Sequence, residues 1–286
     1  MGKVLIAMSG GVDSSVAAYL LKHSGWDCVG ATMTLYRNED IGISRSRTCC
    51  SLEDVEDARS VAFRLRIPYY VFNFSDEFRR QVMDRFADAY GQGRTPNPCI
   101  DCNRYLKFRH LYDRAALLGC DTIATGHYGR IERENGRYLL KKALDASKDQ
   151  SYVLYMLTQE QLAHTQFPLG ALRKAETRQL ADSLGFFNAR KPDSQDICFV
   201  PDGDYAAFIR RHSGKADTPG DFVDESGRIL GRHKGIAHYT IGQRKGLGIP
   251  SNQPLYVKAI DPKSNQVILS GNDALFSRQL TGGNFN

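Results

Sequence analysis

The sequence predicts an α/β protein: a Rossmann-like, doubly wound parallel sheet followed by a small β-rich module. Short apolar runs alternate with helical patterns through the first half, a rhythm that belongs to βαβ units covered on both faces. A glycine-rich turn, Ser9-Gly10-Gly11-Val12-Asp13-Ser14-Ser15, joins the first run to the first helix. After Cys198 glycines multiply and the strand-like runs become short and turn-separated.

The elements follow in order. Lys3–Met8 is an apolar run suited to a buried parallel strand, and helix signals extend from Asp13 to Ser24. Asp27–Met33 reads as a second strand. Ser51–Leu65 reads as a helix capped by Ser51, with Asp54 at capping-box spacing. Tyr69–Phe74 is a third strand, Glu77–Tyr90 and Asn103–Leu118 are helical, and Asp121–Ala124 is a fourth strand. Around Arg130–Lys141, two strand-like runs flank Glu134-Asn135-Gly136-Arg137, where Asn-Gly favours a tight hairpin turn. Helices are expected near Ser151–Leu157 and Ala175–Leu184. The domain division expected is 1–196, 197–272 for the small β-rich part, and 273–286 as the start of something further.

Composition sets broad limits. The chain has 286 residues, 42% hydrophobic content and a formal net charge of +6. The positive charge fits a polyanionic partner as well as a mildly basic housekeeping protein, and does not decide between them. No run of about eighteen apolar residues predicts a membrane span. Met1–Gly11 lacks a cleavage-site pattern and reads as a strand and turn, so a cytoplasmic location is expected. Seven cysteines, an odd number, argue against a disulfide framework. Cys28 and Cys120 fall beside apolar stretches and are expected to be buried packing residues.

The turn after the first strand carries the clearest chemistry. Glycines let the backbone approach an anion, a helix N-terminus offers unpaired N–H groups, and Ser9, Ser14 and Ser15 add hydroxyls. Asp13 would repel a phosphate unless a cation stands between them, which implies Mg2+. The Gly-Lys-Ser/Thr ending of a Walker loop is absent. The turn resembles the SGGxDS loop of ATP pyrophosphatases (PP-loop enzymes), which adenylate a carbonyl oxygen and release pyrophosphate.

The loop supplies that half-reaction but not the nucleophile, for which cysteines are the candidates. In Pro96-Asn97-Pro98-Cys99-Ile100-Asp101-Cys102-Asn103, Cys102 is expected at the start of a helix, where its thiol pKa would fall. Arg94, Arg104 and Lys107 add positive charge. Cys198, in Asp193-Ser194-Gln195-Asp196-Ile197-Cys198-Phe199, has a polar flank that suits reactivity. Cys49 and Cys50 follow Arg45-Ser46-Arg47 and read as a loop near the nucleotide.

Together with Thr125-Gly126-His127-Tyr128, Lys148-Asp149-Gln150-Ser151 and Tyr239-Thr240-Ile241-Gly242-Gln243-Arg244-Lys245-Gly246-Leu247-Gly248, these motifs resemble the bacterial tRNA 2-thiouridylase family along essentially the whole chain. The resemblance implies ATP-dependent 2-thiolation of the tRNA wobble uridine, with AMP and pyrophosphate released. It implies an ATP site at Ala7, Met8, Ser9, Gly10, Gly11, Val12, Asp13, Ser14, Met33 and Gly126. It implies tRNA contact at Asn97, Pro98, Cys99, His127, Lys148, Asp149 and Gln150. Cys102 would be the nucleophile and Cys198 the persulfide carrier, with a Cys102–Cys198 disulfide formed as sulfur is released and reset by a thiol. A sulfur donor, a persulfide relay protein or sulfide, is a further implied partner.

Two features depart from the family. Many members carry aspartate where this chain has Cys99, and Cys99, Cys102 and Cys198 together form a set able to hold a [4Fe–4S] cluster, so persulfide and cluster chemistry both remain open. The family usually ends in a further C-terminal β-barrel, expected here to be largely missing. Two rival functions are an ammonia-using amide ligase, for which no glutaminase segment is visible and which would leave the cysteines idle, and a non-catalytic RNA-binding protein.

Overall fold

The computed structural model describes residues 2–42, 52–193 and 196–283. The expected Ser51 cap, the Arg45–Cys50 stretch, Ser194, Gln195 and the last three residues lie outside these. The chain forms two compact units, one of residues 1–81 with 99–199, the other of 82–98 with those from 200 onward. Composition, which changes near Cys198, carries no sign of the 82–98 excursion.

The first unit is a parallel sheet with helices. Its elements begin with β1 (Lys3–Ala7), α1 (Val12–His23), β2 (Asp27–Thr34), α2 (Leu52–Arg64), β3 (Tyr69–Asn73) and the short α3 (Ser75–Phe78). A π-helical stretch, Arg79–Met83, leads on to α4 (Asp84–Gly91) of the second unit. The chain returns through α5 (Pro98–Asp101), π-helical Cys102–His110 and α6 (Leu111–Leu117) to β4 (Thr122–Ala124). The hairpin β5 (Arg130–Glu134) and β6 (Arg137–Lys141) follows, then α7 (Gln159–Ala163), β7 (Thr165–Gln166) and α8 (Lys174–Ser183).

The strand order is β3-β2-β1-β4-β7, every neighbour parallel. The connections reverse direction at β1: β2 and β3 lie to one side, β4 and β7 to the other. The carboxyl ends of β1 and β4 therefore flank a topological switch point, where open α/β sheets bind ligands. Val4, Leu5 and Ile6 of β1 are fully buried, as a run covered on both faces requires. Val16, Ala17 and Ala18 of α1 pack with Val4 and Ile6 in one core with Val61 and Ala62 of α2.

Most expected elements form, with shifts of a residue or two at their ends. Cys28 and Cys120 are buried. In the hairpin turn Asn135 and Gly136 both take positive φ, 49° and 79°, the pair of left-handed residues that a two-residue turn of this hand demands. Three readings need correction. Ser151–Leu157 is not a helix beyond the 3-10 turn Ser151–Val153. The helix expected from Asn103 starts at Pro98, because proline fits the first helical position, where its missing N–H is no loss. β7, two residues long, adds a fifth strand that its length hid.

The second unit holds α4, α9 (Tyr205–Ser213), β8 (Gly220–Val223), β9 (Ile229–His233), β10 (Tyr256–Asp261) and β11 (Gln266–Ser270). The sheet order is β10-β11-β8-β9, with β11 and β8 parallel and the outer pairs antiparallel. Its core is Phe222, Tyr239, Leu247, Val257, Val267 and Leu269. The helix α9 escaped the reading of this stretch as β-rich, though its signals are local: Asp204 accepts from the Ala207 N–H at 2.9 Å, and Gly214 closes it at φ 68°. Phe86 of α4 meets Tyr205 and Phe208 edge-on with ring centroids 6.0 Å apart, and His212 pairs with Asp84 at 2.6 Å.

Candidate functional site

The loop from Ser9 to Gly11 runs from the end of β1 into α1. Gly10 takes φ +75°, and a Cβ there would stand 2.5 Å from the Asp54 carbonyl oxygen. No side chain other than glycine's fits both conditions. Gly11 occupies the N-cap position of α1 without a side-chain cap, so the first N–H groups of the helix are left for a ligand. The Ser14 hydroxyl accepts from the Ser9 N–H at 3.1 Å and donates to the Gly11 carbonyl at 3.1 Å. Asn188, buried, donates to the Gly10 carbonyl and to the Ser15 hydroxyl, both at 2.9 Å. The loop is held from both sides before any anion arrives.

Gly126, two residues past β4, closes the cradle. A Cβ there would lie 2.8 Å from the Ser14 nitrogen and 2.9 Å from the Asp13 carbonyl carbon. Met33 lies near the carboxyl end of β2, beside β1. The structure thus gathers Ala7–Ser14, Met33 and Gly126 at one end of the sheet.

Asp13 sits in an ion network. Its carboxylate accepts from Lys174 Nζ at 2.7 Å through each oxygen and from the Tyr128 hydroxyl at 2.9 Å. Lys174 Nζ also lies 2.8 Å from Asp193 Oδ1, and Asp193 is reached by Lys148 at 2.8 Å and Arg178 at 2.7 Å. Burial would raise the Asp193 carboxyl, but the hydrogen bonds from Lys148 and Lys174 hold it down at about 2. The Tyr128 hydroxyl is pushed up by burial. Lys174 and Arg178 went unread in the sequence: Lys174 is 161 residues from Asp13, and nothing local to α8 announces the pairing.

The cysteines separate. Cys99, in the first helical turn, is exposed, Cys198 is half-buried, and Cys102 is buried. The expectation of a low thiol pKa at Cys102 is overturned. The helix begins four residues earlier, so Cys102 lies past its first turn. Burial pushes its thiol up to about 11 against the pull of Lys107. Burial of a thiolate away from water costs more than one lysine returns. The Cys198 carbonyl accepts from the Tyr36 hydroxyl at 2.7 Å, and Phe199 meets Phe78 edge-on at 5.6 Å.

The residues expected to meet tRNA are differently placed. Asn97 is exposed and Pro98 buried. His127 is 8% exposed, its Nδ1 2.7 Å from the Thr125 hydroxyl and its Nε2 3.4 Å from Lys107 Nζ. Burial, aided by Lys107, drops its pKa well below the usual histidine value, so the ring is neutral at pH 7. Asp149 accepts from the Ala143 N–H and the Ser151 hydroxyl, and Gln150 Oε1 from the Tyr128 N–H. Asp149 and Gln150 thereby fix the loop on which Lys148 is carried.

A metal cofactor can be tested against these donors. Asp13, with an anion cradle beside it, fits Mg2+, which takes one or two carboxylates and completes its shell with phosphate oxygens and water. Among the described residues, no three His, Cys, Asp or Glu side chains are placed to hold one metal ion. Cys99, Cys102 and Cys198 form no such group there. No described helix is long and apolar enough to cross a membrane.

Comparison with known proteins gives these features a family. Residues 2–202 match the family described as tRNA methyl transferase HUP domain, and 206–271 the one described as tRNA methyl transferase PRC-barrel domain. A tRNA-specific 2-thiouridylase MnmA of Lachnoclostridium phytofermentans is 53% identical, the match covering 100% of this chain and 81% of that protein. Its counterpart in Clostridioides difficile is 52% identical over 99% of this chain and 79% of its own length. A solved 4-thiouridine synthetase–RNA complex with bound ATP aligns over 70% of this chain and 45% of its own at 22% identity, with a TM-score of 0.47, too loose a likeness to bear on function. Identity above one half along the whole chain settles the matter: the chain belongs to the tRNA-specific 2-thiouridylase family.

Proposed function

We propose that this chain is an ATP-dependent tRNA uridine 2-sulfurtransferase acting on the wobble uridine. The observation that carries the reading is the cradle at the switch point, where Gly10, the start of α1 and Gly126 leave room for backbone N–H groups to meet a polyphosphate. Family membership adds the acceptor and the sulfur chemistry.

The loop orients the triphosphate so that its α-phosphorus faces the uridine 2-oxygen. That oxygen attacks, pyrophosphate leaves, and C2 becomes bonded to a good leaving group. Mg2+ at Asp13 would offset phosphate charge when bound. Ser9 and Ser14 supply hydroxyls, and the N-terminus of α1 stabilises the negative charge that the leaving pyrophosphate gathers.

The sulfur half follows on the cysteines. A persulfide on Cys198, supplied by a sulfur donor, attacks C2 through its terminal sulfur and expels AMP. The Cys102 thiol then attacks the Cys198 sulfur, freeing 2-thiouridine and leaving a Cys102–Cys198 disulfide. An external thiol reduces that disulfide and completes the balance. Burial keeps Cys102 protonated at pH 7, so it stays inert until this step opens its surroundings. Asn97, Pro98, Cys99, His127 and Lys148–Gln150 are proposed to face tRNA. The buried His127 would act by holding Lys107 rather than by surface contact. The part from about 197 onward is proposed to grip tRNA. No step is derived through an iron–sulfur cluster.

The test is pyrophosphate release, AMP formation and 2-thiouridine in tRNA incubated with the chain, ATP, Mg2+, a persulfide-bearing sulfur donor and thiol. Cys198→Ser is expected to keep tRNA-dependent pyrophosphate release and lose thiolation, with the AMP it expels, by at least about 100-fold. AMP formation without any dependence on tRNA in the parent would sink the reading.

A further inference from the structure

Two aromatic rings stand out from the surface just past the Lys148–Gln150 loop. Tyr152 is 63% exposed and Tyr155 57%. Among the described residues, neither hydroxyl has a hydrogen-bond partner and neither ring meets another ring. Their backbone is nonetheless anchored. Val153, Leu154, Met156 and Leu157, between and just beyond them, are at most 5% exposed. Backbone hydrogen bonds join Val153 to Gln150, Leu154 to Ser151 and Leu157 to Leu154, each at 3.1 Å. Such i→i+3 winding, about three residues per turn, sets residues three apart above one another, so both rings share one face.

The segment is tied to both halves of the proposed reaction. The Gln150 N–H donates to the Tyr128 carbonyl at 2.8 Å, and Gln150 Oε1 accepts from the Tyr128 N–H at 2.9 Å. Tyr128 in turn donates its hydroxyl to Asp13 of the phosphate loop. From the other side, the Asn103 side-chain amide donates to the Val153 carbonyl at 3.0 Å. Asn103 is buried and adjoins Cys102 on the π-helical stretch. Two rings are thus kept facing solvent, at fixed places relative to the nucleotide loop and to the helix that bears Cys102. Polar residues frame them, Lys148-Asp149-Gln150-Ser151 before and Thr158-Gln159-Glu160 after. Separate rings in polar surroundings offer faces to flat ligands, not the continuous apolar patch that another protein would cover.

We propose that Tyr152 and Tyr155 form a stacking platform for unpaired RNA bases, the neighbours of the target uridine in the anticodon loop. The inference rests on the proposed function and goes beyond it by naming base faces as what this surface recognises. An enzyme that acts on a base draws it out of the stack, and the bases left beside the gap lose part of their own stacking. Aromatic rings on an anchored backbone fill that place. Every base has a π-face, so the platform does not select sequence. A tyrosine has only two χ angles to fix, so little freedom is lost on contact. Neither ring touches the reacting atoms, and both act as positioning residues.

The test uses the full chain and an anticodon stem–loop RNA with uridine at the wobble position. 2-Aminopurine, whose emission is quenched when it stacks, replaces the base on one side of that uridine and then on the other. A dye on the stem reports affinity by anisotropy. Tyr152→Leu and Tyr155→Leu keep apolar bulk and remove the ring. Each is expected to weaken RNA binding about tenfold while circular dichroism stays that of the parent. The slope of affinity against salt is unchanged, because no charge is lost. In the double Leu variant the bound 2-aminopurine brightens. Tyr152→Phe and Tyr155→Phe keep affinity within about twofold and keep the emission low. Leu variants that bind RNA as the parent does overturn the platform, as do Phe variants that lose as much as the Leu ones. Equal 2-aminopurine emission in parent and double variant, at both positions, also overturns it. Leu variants that keep RNA affinity but lose thiolation with a persulfide-bearing donor overturn it in favour of a contact with that donor. A parent that binds no stem–loop overturns the functional reading itself.

Discussion

The phosphate loop and the Pro98 helix each place a reactive group near the start of a helix, yet they work in opposite ways. At α1 the chemistry belongs to the backbone: glycines, unpaired N–H groups and a hydroxyl hydrogen-bonded within seven residues. At the Pro98 helix the chemistry belongs to a side chain, and the packing around that side chain decides it. Only Ile100 and Asp101 separate the exposed Cys99 from the buried Cys102, and the difference reverses what helix position alone suggests. Backbone sites are written in local sequence, whereas the state of a thiol is written in its neighbours.

The contrast is broken most severely by Gly126→Val. The added side chain meets the Ser14 nitrogen and the Asp13 carbonyl carbon, both backbone, so the loop must move. A displacement of about 1 Å at such a site costs on the order of 100-fold. ATP-dependent AMP formation is expected to fall by that much while circular dichroism stays unchanged.

Next in size is the thiol contrast. With a pKa near 11, Cys102 is thiolate in about one molecule per thousand at pH 8. Iodoacetamide at that pH is expected to modify Cys99 at least about 100-fold faster than Cys102, read peptide by peptide. The shift also sets a pH window. A raised thiol pKa adds stability that is fully present below the ordinary value of about 9 and is lost as pH rises through about 11. Urea midpoints of the parent should therefore drop between pH 9 and 11 more than those of Cys102→Ala.

The smallest effect is expected at Asn188→Ala. It leaves the Gly10 carbonyl and the Ser15 hydroxyl without their buried partner, at a cost of about 1–3 kcal/mol. Urea denaturation would show it, and ATP affinity would weaken with it. A stability loss with no change in ATP affinity would mean the loop holds its shape unaided.

The same divide explains what could be read from the sequence. Strands β1 and β2, helix α1 and the Asn135–Gly136 turn were legible because each is fixed by apolar runs, glycines and neighbours in the chain. The gathering of Ser9–Ser14 with Gly126 was implied by the family resemblance, and it follows physically because both come after strands of one parallel sheet. The Lys174 bridge was not legible, because its two carboxylates lie 161 and 19 residues away in sequence. The burial of Cys102 and His127 was hidden likewise; that of His127 comes from Phe108 and Phe167, which lie 19 and 40 residues away in the chain. The segment 82–98 is an ordinary helix by sequence, and contacts such as Phe86 with Tyr205 and Phe208, and Asp84 with His212, show which unit it serves.

The grip of Asn188 on Gly10 and Ser15 has a consequence for the growing chain. During synthesis the first eleven residues leave the ribosome long before residue 188, and β4 with Gly126 lies more than a hundred residues behind β1. Sheet order places β1 at the centre, so the earliest strand to emerge finds β2 soon after but waits for β4, made much later. A nascent chain shorter than about 190 residues lacks the clasp that closes its nucleotide loop. Competence to bind nucleotide therefore arrives late in translation, after most of the first unit has been made.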